Sequence, residues 1–260
     1  MRKFEKLEQR ICPAYTVAND GGVLKITDTD NGNNVVNIQY LLEGGVHKFE
    51  VLEGEDVKGT FKAADINSFD IKMGNGNDRI DLTHVTEAYG FASTMSVVAD
   101  LKDGADSYHG SAFRDEVYLG MGSNSAWGGA GDDVIVGGDS VDKIDGESGG
   151  DELYGNGGVD TIKGDSGSDL IAGGLQNDLI EGGADQDFIY GDIPYDPASG
   201  GDDSSTAAAA TIRFTGAVEM ISSLAVADIT FSLEMMAAMK FGAGTIQTSF
   251  SWSRAMLFGL

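Results

Sequence analysis

The chain has 260 residues, 42 acidic against 17 basic, and a formal net charge of −25, which excludes nucleic acid and anionic membrane surfaces as natural partners and favours cations. A hydrophobic share of 41% belongs to a folded protein rather than a disordered acidic one, and 38 glycines against 3 prolines mean many tight turns. The single cysteine, Cys12, excludes an intrachain disulfide, and no run of 18 apolar residues offers a membrane-spanning helix.

In chain order, residues 1–21 come first, and "MRKFEKLEQRICPAY" lacks the apolar core of a secretory signal peptide. Leu7, Glu8 and Arg10, followed by small and apolar residues, resemble the leader of some large bacterial surface proteins; the same stretch also reads as one turn of helix. Residues 22–100 are β-rich: "VLKIT", "VVNIQY", "HKFEVL", "SFDIKM" and "SVVADL" alternate or run apolar between Gly, Asn and Asp turns. Within them, "GNGNDRI" at 74–80 is a lone turn whose Asp78 lies 28 residues before Asp106, one more than three units of nine. By itself it would be an ordinary Asn-Gly hairpin.

From residue 101 a nine-residue unit repeats. Its sixth slot holds Asp106, Asp115, Asn124, Asp133, Asp142, Asp151, Asp160, Asp169, Asp178 and Asp187, with an inward aliphatic or aromatic residue two places later, such as Tyr108, Ile135 or Leu153. Its first slot is mostly glycine, from Gly110 through Gly128, Gly137 and Gly146 to Gly182. A solvated Gly/Asp linker would not hold an aliphatic residue in one slot unit after unit. A glycine turn followed by a three-residue strand is half a coil, so two units complete one turn of a parallel β-helix. Residues 18 apart then stack at about 4.8 Å. Asp133 falls over Asp151, and Asp151 over Asp169. Two like charges at that spacing repel by roughly 0.8 kcal/mol in water and several times more near a protein surface, so a cation between them is required. Calcium, which takes six to eight oxygens in loose geometry, suits carboxylates and turn carbonyls better than magnesium. Zinc is disfavoured, because His47, His84 and His109 have no zinc spacing.

These units resemble the Gly-Gly-x-Gly-x-Asp-x-aliphatic-x repeats of the repeats-in-toxin (hemolysin-type) calcium-binding proteins. The resemblance covers residues 101–191. It implies an all-β fold, a right-handed parallel β-roll (β-helix) holding several Ca2+ ions and folding outside the cell. It implies as ligands Asp133, Asp142, Asp151, Asp160, Asp169, Asp178 and Asp187, with turns contributed by Gly128, Gly129, Gly131, Gly146, Gly149, Gly155, Gly158, Gly164 and Gly167. Asp106 and Asp115 are earlier members of the same slot, and Asp78 is an outlying ligand candidate. Ser140, Gln176 and Asp185 stand where the pattern has glycine, and the units at 110–118 and 119–127 are degenerate.

Sorting outward residues by sheet gives two unlike faces. One carries Glu116/Tyr118, Val134/Val136, Glu152/Tyr154, Leu170/Ala172 and Phe188/Tyr190; the other carries Ser125/Trp127, Lys143/Asp145, Thr161/Lys163 and Leu179/Glu181. The first is apolar, so Tyr118, Val136, Tyr154 and Tyr190 are expected to meet another part of the chain, a protein partner or a glycan. Residues 193–205 read as a linker. The charge-poor tail 206–260 is similar in place and composition to a type I secretion signal, and also reads as a cover for the apolar face or the end of a longer protein. No His-Glu-x-x-His or Gly-x-Ser-x-Gly motif occurs, so the expected role is non-enzymatic. The leading reading is a calcium-binding structural module of a secreted or cell-surface protein. The alternatives are the non-catalytic module of a secreted enzyme, or an adhesin using the tyrosine face.

Overall fold

The computed structural model describes residues 15–29 and 31–191, and the backbone of 204–206. The strands are β1 (Tyr15–Asp20), β2 (Val23–Asp28), β3 (Val35–Glu43), β4 (Val46–Glu53), β5 (Asp56–Lys62), β6 (Ser68–Lys72), β7 (Arg79–Asp81), β8 (Ser96–Asp100), β9 (Ser107–His109), β10 (Arg114–Tyr118), β11 (Ser125–Ala130), β12 (Val134–Val136), β13 (Lys143–Ser148), β14 (Glu152–Gly157), β15 (Thr161–Lys163), β16 (Leu170–Leu175), β17 (Leu179–Glu181), β18 (Phe188–Tyr190) and β19 (Ser204–Thr206), and from β5 onward they alternate between two sheets. The first sheet runs β1-β2-β6-β8-β10-β12-β14-β16-β18, and the second β19-β17-β15-β13-β11-β9-β7-β3-β4-β5. Every neighbour is parallel except at the start, where β1 pairs antiparallel with β2 and the β3–β4–β5 meander is antiparallel. This is a parallel β-roll.

The register follows from the repeat. Glu116 pairs with Val134, Val134 with Glu152, Glu152 with Leu170 and Leu170 with Phe188, each 18 residues on. The inward residues therefore form two columns: Val117, Ile135, Leu153, Ile171 and Ile189 in one, and Tyr108, Ala126, Ile144, Ile162 and Ile180 in the other, all buried. Burying each aliphatic side chain contributes about 1.5–3 kcal/mol, and a single slip of register would turn the whole column outward.

The roll does not begin at residue 101. Leu24 and Ile26 of β2 (Val23–Asp28), Phe69 and Ile71 of β6 (Ser68–Lys72), and Val97 and Ala99 of β8 (Ser96–Asp100) continue the first column. Val36 of β3 (Val35–Glu43) and Ile80 of β7 (Arg79–Asp81) continue the second. One hydrophobic core runs from Tyr15 to Ile189. The boundary expected between 100 and 101 thus falls between β8 and β9 (Ser107–His109), inside both sheets. Residues 15–20 of the expected leader form β1, and 204–206 of the expected linker and tail form β19. The rest of the leader, including Leu7, Glu8, Arg10 and Cys12, and the tail from 207 onward lie outside the described residues.

The first coil is built to end a solenoid. β1 covers the edge of β2 in antiparallel pairing, which removes an open parallel edge. The Tyr15 hydroxyl donates to the carbonyls of Leu52 (2.6 Å) and Val35 (3.2 Å). Behind it Phe49 meets Phe91 and Phe61 at ring distances of 5.0 and 5.6 Å. Here packing substitutes for glycine turns. Among the described residues no helix is long and apolar enough to cross a membrane.

Candidate metal centres in the turns

The sixth-slot side chains form two ladders, one at each edge of the roll. Each backbone N–H donates to Oδ1 of the residue one coil later. On one edge Asp115 donates to Asp133 (2.8 Å), Asp133 to Asp151 (2.8 Å), Asp151 to Asp169 (2.8 Å) and Asp169 to Asp187 (3.1 Å). The other edge runs Asn34, Asp78, Asp106, Asn124, Asp142, Asp160 and Asp178, with distances of 2.7–2.9 Å. All these residues are buried. Asp78 is therefore not an isolated hairpin turn but a member of this ladder. The 28-residue gap reflects the excursion at 82–95 that follows β7.

Oδ1 is thus a structural acceptor, and the second oxygen is what differs along the ladders. Oδ2 of Asp106, Asp133, Asp151, Asp160, Asp169 and Asp187 is buried and has no hydrogen-bond partner among the described residues. A buried ionised oxygen left so would cost several kcal/mol. Around it the first-slot glycine lets a carbonyl oxygen of the next coil come close, where any side chain would intrude. A Cβ at Gly155 would collide with Asp160 Oδ2 and the Gly173 carbonyl oxygen; one at Gly164 would meet Asp169 Oδ2 and the Gly182 oxygen. Gly128 has the same relation to Asp133 Oδ2 (2.5 Å) and the Gly146 oxygen (2.7 Å), as does Gly173 to Asp178 and the Gly191 oxygen. A carboxylate oxygen and a carbonyl oxygen from the next coil converge in each turn.

This donor set fits calcium. It is all oxygen, mixed between side chain and backbone, with no nitrogen or sulfur. Among the described residues no three Asp, Glu, His or Cys side chains gather at one point, so carbonyl oxygens of the turns must share the coordination. The carbonyls of Gly173, Gly182 and Gly191 extend the glycine set expected from the sequence. Their signal was present as the first slot of the last units.

Four ladder positions are closed instead. Asp115 accepts at Oδ2 from the Ser111 N–H and the Tyr108 hydroxyl (both 2.8 Å), and at Oδ1 from Ser111 Oγ (2.6 Å). Asp142 accepts from Asn124 N–H at Oδ1 and from Gly138 N–H at Oδ2 (2.9 Å). Asn124 keeps the Oδ1 rung but turns its amide N–H to the Gly122 carbonyl (2.9 Å), as Asn34 does to Gly32.

The second slot separates the turns that close onto their aspartate. It is left-handed at Lys102, Gly129, Glu147, Asn156, Asp165, Gly174 and Gly183, and the fourth slot is left-handed at Gly131, Gly149, Gly158 and Gly167 and, despite their side chains, at Gln176 and Asp185. At Ser111 and Gly138 the second slot is not left-handed, and there its N–H folds onto the aspartate. Gln176 and Asp185 accept a strain of roughly 1–2 kcal/mol each that glycine avoids.

The electrostatics agree with the geometry. Burial first, and then neighbouring carboxylates, push Asp133 up to about 8 and Asp151 and Asp160 up to about 7. Asp106 is pushed by burial to about 7, and Asp169 to about 6. Asp187 and Asp142 are also raised by burial. Asp115 rises to about 6 through burial, against the hydrogen bonds from Ser111 and Tyr108. Without a cation, burial holds these carboxyls closer to their protonated form than an exposed aspartate would be.

The RTX calcium-binding nonapeptide repeat (4 copies) matches at residues 102–135, 118–153, 127–162, 136–171 and 163–193. Residues 102–193 are RTX calcium-binding repeats. The RTX segment is about a third of the chain, and β2–β8, which continue its two sheets, precede it. No curated protein and no solved structure matches the chain.

Proposed function

We propose that the protein is a secreted or cell-surface structural module whose RTX coils fold around several calcium ions. The observation that carries this reading is the recurrent buried Oδ2, without a hydrogen-bond partner, facing the carbonyl oxygen of the next coil. The ions are assigned to the turns of Asp133, Asp151, Asp160, Asp169 and Asp187, with Asp106 as an outlying site; Asp178 Oδ2 also meets the Gly191 carbonyl oxygen at the Gly173 turn. Asp115 and Asp142 are not assigned ions, because protein N–H and O–H groups already occupy their second oxygens. When bound, calcium supplies the positive charge these carboxylates lack. The chain supplies Oδ2, the glycine carbonyls and the Oδ1 ladder that holds each carboxylate in place.

The role proposed is not catalytic, since the RTX carboxylates are used by their own turns. Secretion by a type I route is part of the proposal and rests on the repeats and the charge-poor tail. Isothermal titration of the calcium-stripped chain tests the binding. Several ions per chain, with magnesium failing to compete at equal concentration, are expected; no calcium binding at millimolar concentration would overturn it.

A second reading concerns the apolar face. Tyr118, Val136 and Tyr154 share one row of the first sheet with Tyr190. Tyr118 in this row is 42% exposed, and Val98 and Phe188 in the row beside it are 42% and 40% exposed. This row supports a protein or glycan contact there. Loss of association in Tyr154→Ser and Val136→Ser, with stability kept, is its test.

A further inference from the structure

A cavity of ≈ 440 Å³ opens at the N-terminal end of the second sheet, away from the calcium turns. It lies between the β3–β4 hairpin and the excursion that follows β7. Asn37, Gln39 and Tyr40 of β3 line it, with Asp81 of β7 and His84 and Tyr89 of the excursion. The sequence explains why it exists. β3 continues to Glu43, but β7 pairs with it only at Val35–Asn37. Past that point the excursion folds back beside β3 and Tyr89 packs on Tyr40, with ring centroids 4.4 Å apart.

Its polar groups are held in place. Asp81 Oδ1 accepts from Thr83 Oγ1 (2.8 Å) and N–H (3.3 Å), and Oδ2 from Arg79 Nη2 (3.4 Å). Burial would raise the Asp81 carboxyl, but these hydrogen bonds outweigh it and hold the group below the usual range, ionised. The Tyr40 hydroxyl is bonded to His47 Nδ1 (3.0 Å), and His84 lies against Tyr89 at 5.6 Å. Asn37 and Gln39 alternate along the strand, so both amides leave β3 on one side.

The volume lies within the range of small-molecule sites. The chemistry narrows the class. Two planar amides, a carboxylate, an imidazole and a phenol offer donors and acceptors together, which suits a ligand carrying both on adjacent atoms. Tyrosine rings present electron-rich faces to weakly positive C–H groups. Arg79 is engaged by Asp81, and the net charge of −25 repels anions. A ring with hydroxyls at its rim and C–H groups on its faces meets all of these conditions.

We propose that this cavity binds a neutral sugar ring. All its lining residues precede the RTX repeats, so the inference does not depend on how the calcium turns are read. The test is isothermal titration of the full chain in calcium with maltotriose, cellotriose and triacetylchitotriose. At least one is expected to bind saturably, weakening about tenfold or more in Tyr89→Ala and in the more conservative Asp81→Asn and Gln39→Ala. Leu179→Ser, exposed near the far end of the same sheet, is expected to bind normally. Failure of all three sugars would overturn the proposal. Binding unchanged in Asp81→Asn and Gln39→Ala, or a response to choline alone through an aromatic cage, would do so as well.

Discussion

Replacing Asp151 by asparagine separates the two jobs of its carboxylate. Asparagine keeps the Oδ1 acceptor for the Asp133 N–H, as Asn124 does for Asp106 in the other ladder. It removes the charge at Oδ2. The Asp151 carboxyl is pushed from the ordinary 3.8 to about 7, first by burial. Each tenfold change in proton affinity is worth about 1.4 kcal/mol, so the ionised group opposes folding by at most about 4 kcal/mol near neutral pH. Water reaching the turn reduces this to roughly 1–3 kcal/mol. In chelator at pH 7.5, Asp151→Asn is therefore expected to be more stable than the parent by that amount in urea unfolding. Calcium should erode the gain by about 1.4 kcal/mol for each tenfold rise above the dissociation constant, because only the parent gains an ion there. A variant less stable in chelator, or a difference that ignores calcium, would refute the reasoning.

The reverse change, Asn124→Asp, should destabilise the calcium-free protein and add about one bound ion by titration. Gly155→Ala drives a methyl into Asp160 Oδ2 and the Gly173 carbonyl; calorimetry should show one ion fewer and a loss of about 1–3 kcal/mol. Tyr108→Phe removes the hydroxyl that bonds Asp115 Oδ2 and should cost about 1–3 kcal/mol while leaving the ion count unchanged. Because the folded-state carboxyls are raised to about 6–8, their contribution to stability is present below pH 4 and lost as pH rises through about 8. Calcium-free protein should then unfold more readily in urea at pH 7.5 than at pH 5, and calcium should remove that difference.

Much of the roll was legible in its spacing. An aliphatic residue two places after each aspartate fixes both columns, so the 18-residue register and the sorting of Tyr118 and Trp127 onto opposite sheets follow from period alone. The N-terminal coils were not legible as part of the same solenoid. Between Asn34, Asp78 and Asp106 the hairpin β4–β5 and the 82–95 excursion break the period, and Phe49, Phe69 and Phe91 replace glycine turns with packing. The sixth slot was legible as a row of buried acids, but not which of its oxygens are spoken for. Closure of Asp115 by Tyr108 and Ser111 depends on a tyrosine in the aliphatic slot. That of Asp142 depends on the backbone hand at Gly138, which unlike Gly129 and Gly174 is not left-handed, and only folded geometry brings these groups together.

Calcium binding and the folding of the RTX coils are expected to be coupled. Far-ultraviolet circular dichroism of the full chain at pH 7.5, titrated with calcium after stripping and with magnesium in parallel, measures the coupling. A saturable gain of β signal with calcium and none with magnesium is predicted. A stripped protein that already shows the full β spectrum and stays unchanged by calcium would contradict it.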